Sequence, residues 1–369
     1  MEAQVTWMPM AVLLGLVGVL YLLFPRISRR GLLFGVYVGE ETSQGAEARR
    51  IIRSWYWGVS AWLALSLVLT VVSGLYYKSQ VGLSAAMGLL AIGFLAENLR
   101  AYFRARRLAK PGVPPAAASL IGVERSNLAA LPYWATMIGL VAGLLLISDA
   151  WVHFKQLPPM VPTHFGVTGK PDGWRPKSFS TVMLLPIMTL ILGVGLGGMS
   201  YLISQAKRAI RYGDRGVSFK AQQRFRRAMA NFLAVISILV TGLLSLMAHA
   251  SIRVGMGEAQ ALPPAMMILT IVLVVFALGG SIFIAVKFGQ GGSQLERSAS
   301  NAPLTDGLAD NRLWVLGMFY VNREDPSLFV ENRFGLGYTL NFGNPRAIGL
   351  ILGFLGLIAV IAILANLAR

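Results

Sequence analysis

Three histidines, His153, His164 and His249, and the carboxylates Asp149 and Asp172 are the residues of this chain best suited to chemistry. Asp149 and His153 are four apart, a spacing that puts both on one face of a helix. His164 and Asp172 share one loop. Imidazoles and a carboxylate suit a Zn²⁺ site with an open position, where bound water becomes a nucleophile. Asp149, His153, His164 and His249 are the candidate ligands. No HExxH pattern occurs, so the zinc reading rests on residue type and expected proximity. The alternatives are that His164 and Asp172 hydrogen-bond to each other or to loop backbone, with His153 and His249 interfacial, or that a metal-free pocket binds a ligand here. Zinc is the one cofactor the set suits; otherwise none is expected. The chain has no Cys, which excludes disulfides, thiol catalysis and Cys-ligated metals.

The loop that must position His164 runs over 157–178 between two long apolar runs. Pro158, Pro159 and Pro162 remove backbone donors and favour an extended path. Lys170-Pro171-Asp172-Gly173 has Pro and Gly where a tight turn wants them. A connector that merely joins two helices needs none of this, so the spacing predicts an ordered structure. Its candidate ligand contacts are His164, Phe165, Asp172, Trp174 and Lys177.

The flanking apolar runs set the class. With 55% hydrophobic and 13% charged residues, the chain reads as a polytopic membrane protein. A helix of ~20 residues crosses a hydrocarbon layer. Eight segments qualify: 7–24, 55–77, 81–99, 132–152, 180–204, 228–251, 265–287 and 347–367. The first lacks the leading cation and small-x-small site of a cleaved signal peptide. With the N-terminus outside, 26 of the 33 Lys and Arg fall in inner segments and 7 outside. The positive-inside rule therefore predicts both termini outside. The net charge of +17 is spread over four inner segments, an orientation signal rather than a nucleic-acid footprint. The densest run, Lys207, Arg208, Arg211, Arg215, Lys220, Arg224, Arg226 and Arg227, is an ordinary inner loop or a grip on anionic lipid headgroups.

Smaller features complete the organisation. Leu33-Phe34-Gly35-Val36-Tyr37-Val38 reads as a short strand or re-entrant stretch. Pro111-Gly112-Val113-Pro114-Pro115 stops the basic extension of the third helix. Gly289 opens a linker, and from Phe334 to Phe342 apolar residues alternate with small polar ones, the mark of a strand with one buried face. Gly335-x-Gly337 sits inside that strand and is not a phosphate loop. Glycines four apart, Gly139/Gly143, Gly193/Gly197 and Gly349/Gly353, suit close helix packing within the chain. Glu97 pairs with Arg100, reaches the headgroups, or serves as a proton or ion group.

Val161-Pro162-Thr163-His164-Phe165, Gly169-Lys170-Pro171-Asp172-Gly173-Trp174 and Lys177 resemble the hallmark of an uncharacterised domain in bacterial membrane proteins. These proteins include immunity proteins against the sporulation-delaying secreted peptide toxin. The resemblance covers about 148–190. Phe34-Gly35-Val36-Tyr37-Val38 is similar to a second segment of such proteins, with Tyr37 and Gly39 in place of their Arg and Pro. The stretch 314–345, with Gly317-x-Phe319-Tyr320-Val321-Asn322 and Phe334-Gly335-x-Gly337-Tyr338, resembles a second uncharacterised domain that often ends such chains. In the immunity proteins the His loop follows the first span and the C-terminal β-unit is missing. The resemblance implies kinship and supplies no catalytic residues.

These readings give an all-α integral membrane protein with about eight transmembrane helices and a small cytoplasmic antiparallel β-unit. The expected regions are a three-helix membrane part with an inner loop (1–130), a part carrying the outer loop (131–205), a basic inner loop with helices six and seven (206–287), a cytoplasmic linker and β-unit (288–345), and a last helix (346–369). The place is the bacterial cytoplasmic (inner) membrane. The leading function is a sensor or immunity-type protein that binds a peptide or envelope ligand at the outer loop. The expected partners are the bilayer with anionic lipids inside, an extracellular peptide and a cytoplasmic protein, with no nucleic acid. A metal-dependent membrane hydrolase is the alternative, and a transporter the third reading.

Overall fold

The computed structural model describes residues 7–28, 31–77, 80–109, 130–166, 169–204, 215–289, 292–297, 310–333 and 337–367. The 111–115 helix stop, Lys207, Arg208 and Arg211 of the basic run, and 334–336 of the alternating stretch lie outside them. A chain in hydrocarbon must satisfy its backbone internally, which selects helices. Among the described residues seven helices are long and apolar enough to cross a membrane. They lie in α1 (Trp7–Ile27), α3 (Ala46–Val72), α4 (Gln80–Leu108), α5 (Ala130–His153), α6 (Phe179–Ser204), α7 (Arg215–Gly255) and α8 (Ala265–Phe288). The expected eighth span is α10 (Pro345–Leu367), whose described apolar part, Pro345–Val360, is shorter. Two short α-helices, α2 (Glu40–Gln44) and α9 (Ser293–Arg297), are also present among the described residues. Ile268, Ile271, Val275 and Phe283 of α8 are exposed, as a lipid-facing surface requires. The protein is a multi-pass membrane protein by this architecture.

The residues group into two compact units that interleave along the chain. One holds 1–124, 206–225 and 281–344; the other holds 125–205, 226–280 and 345–369.

In the first unit Trp55 is the aromatic hub of α1, α3 and α4. It is buried among Phe24, Phe34 and Phe94, and its indole N–H donates to Asn98 Oδ1 at 3.2 Å. Gly58 makes room for the Glu97 carboxylate, which lies 2.9 Å from Arg100. The stretch 33–38 forms a hairpin of β1 (Leu32–Leu33) and β2 (Val36–Tyr37). Its turn residues Phe34 and Gly35 have φ of 48° and 79°, the left-handed pair that matches strand twist.

A second hairpin has a three-residue turn with the same left-handed pair. Between β5 (Trp314–Val315) and β6 (Phe319–Tyr320), Leu316 and Gly317 have φ of 51° and 69°. The two turns touch through their glycines. A Cβ on Gly35 would stand 2.6 Å from Gly317 O, and one on Gly317 would stand 2.9 Å from Gly35 Cα. Asn311 closes the junction: its Oδ1 accepts from Tyr37 N and its Nδ2 donates to Tyr37 O, both at 2.9 Å. Arg333, 1% exposed, donates to Asn311 Oδ1 at 2.8 Å and lies over the Trp314 ring.

β7 (Phe329–Glu331) pairs with β8 (Tyr338–Leu340), so the C-terminal unit is antiparallel as the composition implies. Of the strand expected over 334–343, the described part forms β8, with Gly337 left-handed at φ 97° just before it. Buried Asn341 holds the sheets together. Its side chain donates to Asn322 O and Asp325 O and accepts from Asn322 N and Gly343 N.

Burial pushes the Tyr320 phenol up to about 12; the Asn322 hydrogen bond opposes the rise and the Asp325 charge adds to it. The neutral phenol is thus favoured in the fold. Its contribution is complete below the unfolded value of about 10 and is lost as pH climbs to about 12. Thermal unfolding should show a decline over that window that Tyr320→Phe removes. Gly35→Ala adds a backbone clash to a φ penalty, whereas Gly39→Ala, at φ 88° with open space, adds only the penalty. The first should lower the unfolding midpoint more, the second by an amount matching about 1–3 kcal/mol, since φ 88° with ψ 155° is kept almost wholly by glycine.

Candidate functional site: a braced hairpin with histidine–carboxylate pairs

The second unit is organised by α5 and α6, which meet backbone to backbone. A Cβ on Gly193 would lie 2.7 Å from Gly139 Cα, and one on Gly197 would lie 2.7 Å from Thr136 Cα. Gly139, Gly193 and Gly197 therefore pack within the chain, while Gly349 and Gly353 have open space. Ser237 of α7 donates to Gly193 O at 3.0 Å and ties the third helix to this contact.

Between α5 and α6 the loop folds into a hairpin of β3 (Met160–Phe165) and β4 (Pro171–Pro176). The expected turn at 170–173 is displaced. Gly169 carries the positive φ of 76°, Gly166 N donates to Lys170 O at 2.9 Å, and Pro171, Asp172 and Gly173 lie in β4. Gly173 serves another purpose: it faces His164, whose Cβ a methyl there would meet at 2.8 Å. The register shifts on both sides of His164, a bulge that re-aims its side chain.

Two strands alone are marginal, so the hairpin needs braces. Lys177 N donates to Pro159 O at 2.7 Å, and its ammonium donates to Leu157 O at 2.5 Å above the Phe154 ring. Ser251 of α7 donates to Pro162 O, and Leu262 N to Gly169 O. Beneath, Leu157 and Val161 are buried with Ala150, Met183 and Ile252. Ser178 caps α6 by accepting from Thr181 N.

The expected site residues divide. His164 Nδ1 lies 2.5 Å from Asp172 Oδ1 on the exposed surface of the hairpin. Asp149 forms a separate cluster: its Oδ1 is 3.1 Å from His153 Nδ1 and its Oδ2 is 3.1 Å from His249 Nδ1. A carboxylate only accepts, so in each of these contacts the ring Nδ1 carries a proton. Among the described residues no group of three or more His, Asp or Glu is arranged to hold a metal ion, and the four proposed zinc ligands are divided between these two pairings. Trp174 is 47% exposed on β4. Phe165 faces instead a cavity of about 130 Å³ under the hairpin, and Lys177 is spent on the loop's own carbonyl.

Sequence reasoning missed Ser251 and the cavity wall on α6 and α7. Pro186, inside an apolar helix, was the available signal for the latter.

A domain of unknown function (DUF1648) matches residues 140–190, and a family of unknown function (DUF5808) matches residues 323–348. The first match spans the hairpin and the helix ends that hold it. The second runs from the β6–β7 connection through β7 and β8 into the start of α10. No curated protein and no solved structure matches the chain.

Lys177→Met removes a charge-assisted bond to a hairpin carbonyl and should cost about 1–3 kcal/mol of unfolding free energy. Lys170→Met, on the same hairpin, should stay within about 0.5 kcal/mol. Parallel thermal melts in detergent check the pair.

Proposed function

We propose that the chain is a sensor or immunity-type protein of the bacterial cytoplasmic membrane that binds a peptide or envelope ligand on the outward-facing β3–β4 hairpin. The observation that carries this reading is Trp174, a large aromatic left exposed on a hairpin that is braced from α5, α6 and α7. A rigid, partly exposed Trp offers contact area at small entropic cost. On the same face of β4, Asp172 with His164 presents a polar pair.

The skew of 26 inner to 7 outer cations supports the hairpin outside and the C-terminal β-unit inside. With α10 as an eighth crossing, both termini lie outside. The β-unit and the basic inner segments then meet a cytoplasmic partner and anionic lipid headgroups. The resemblance of the hairpin sequence to toxin-immunity proteins supports a protective role; the different position of the hairpin in this chain argues for a different ligand.

Cells producing the chain, challenged with a panel of secreted peptide toxins, test the reading. Alanine at Trp174 or Asp172 should abolish protection at unchanged membrane abundance, a loss of affinity of about tenfold or more for Trp174. Protection that survives Trp174→Ala removes the hairpin from the binding role, and lost abundance assigns the residue to architecture.

A further inference from the structure

The wall of the cavity under the hairpin lacks one helical hydrogen bond. Pro186 has no N–H to give to the carbonyl of Val182 four residues earlier, so that carbonyl lacks its helical donor. Val182 and Pro186 both line the cavity. The remaining wall is chiefly apolar, with Val161, Phe165 and Leu185 opposite Met247 and Ala248. A dry apolar cavity of about 150 Å³ takes a benzene ring. At about 130 Å³, this one has room for a single branched or aromatic side chain.

We propose that the cavity is the specificity pocket of the hairpin site: it takes one apolar side chain of a peptide ligand, with the neighbouring peptide N–H donated to Val182 O. This deepens the reading of the hairpin as a peptide-binding surface and rests on it. Only a group that joins an apolar body to an N–H uses both features of the wall. A lipid tail fills the space and leaves the carbonyl unpaired, at a cost of about 1–3 kcal/mol.

Met247 reports on occupancy. The full chain in detergent, labelled on methionine methyls, is titrated with N-acetyl-phenylalaninamide, with Met247→Leu assigning the resonance. A saturable shift of the Met247 methyl is expected, with no shift from N-acetyl-glycinamide. An analogue with every amide hydrogen replaced by methyl should bind about fivefold more weakly. Ala248→Leu and Leu185→Phe, two independent ways to fill the space, should each abolish the shift while the fold is retained by circular dichroism. Lys170→Met, outside the cavity lining, should leave it intact. The proposal is overturned by a silent Met247, by shifts that survive both filling variants, or by shifts that follow detergent chain length instead of the amide. Because Trp174 is outside the cavity, failure here and failure of toxin protection by Trp174→Ala are separate results.

Discussion

Two glycines, Gly139 and Gly193, let the backbones of α5 and α6 touch, and the hairpin depends on that contact. The strands β3 and β4 are the link between these helices, so helix separation fixes how far apart the strand ends stand. From Gly139, ten residues along α5 lead to Asp149; from Gly193, ten residues back along α6 lead to Met183 under the hairpin. Side chains at either glycine would pry the helices apart and carry those two positions with them. Association of helices in lipid gains nothing from the hydrophobic effect between them, so close backbone approach and hydrogen bonds such as Ser237 to Gly193 O must supply the attraction.

The first unit uses the same device on a different scaffold. Gly35 and Gly317 allow two hairpin turns to meet where any side chain would intrude. Around that bare contact Asn311 treats Tyr37 as a strand neighbour would, and Arg333 spans from Asn311 to the face of Trp314. A buried guanidinium is tolerated because its donors and its π-face partner replace water. Phe34 and Leu316 accept a strained φ beside their glycines, which indicates that the surrounding packing, not local preference, sets both turns.

The helices were legible because apolar length is a strong signal, and the order within 157–178 was legible from its prolines and glycines. Where the turn falls was not, since Gly169 and Gly173 are equally permissive and only tertiary contacts separate a left-handed residue from a strand residue facing His164. The pairings His164–Asp172 and Asp149–His153 follow from proximity in sequence, whereas His249 joins Asp149 across 100 positions. Lys177 reads as a ligand cation in sequence because a backbone acceptor leaves no trace there; the fold gives it Leu157 O. The meeting of Gly35 with Gly317 is likewise invisible to any local pattern, although both stretches stand out by their resemblance to the same proteins.

The distance along the chain between those two turns has a meaning for biogenesis. Tyr37 and Asn311, which hydrogen-bond directly, are 274 positions apart. At a synthesis rate of about 5–20 residues per second, the first hairpin waits roughly 15–55 s for its partner. Throughout that interval the backbone N–H and C=O of Tyr37 lack the Asn311 side chain that later pairs them, while Phe34 already has Phe24 and Trp55 to pack on. Arrival of the second turn supplies that partner, so one glycine contact joins two segments made far apart in time.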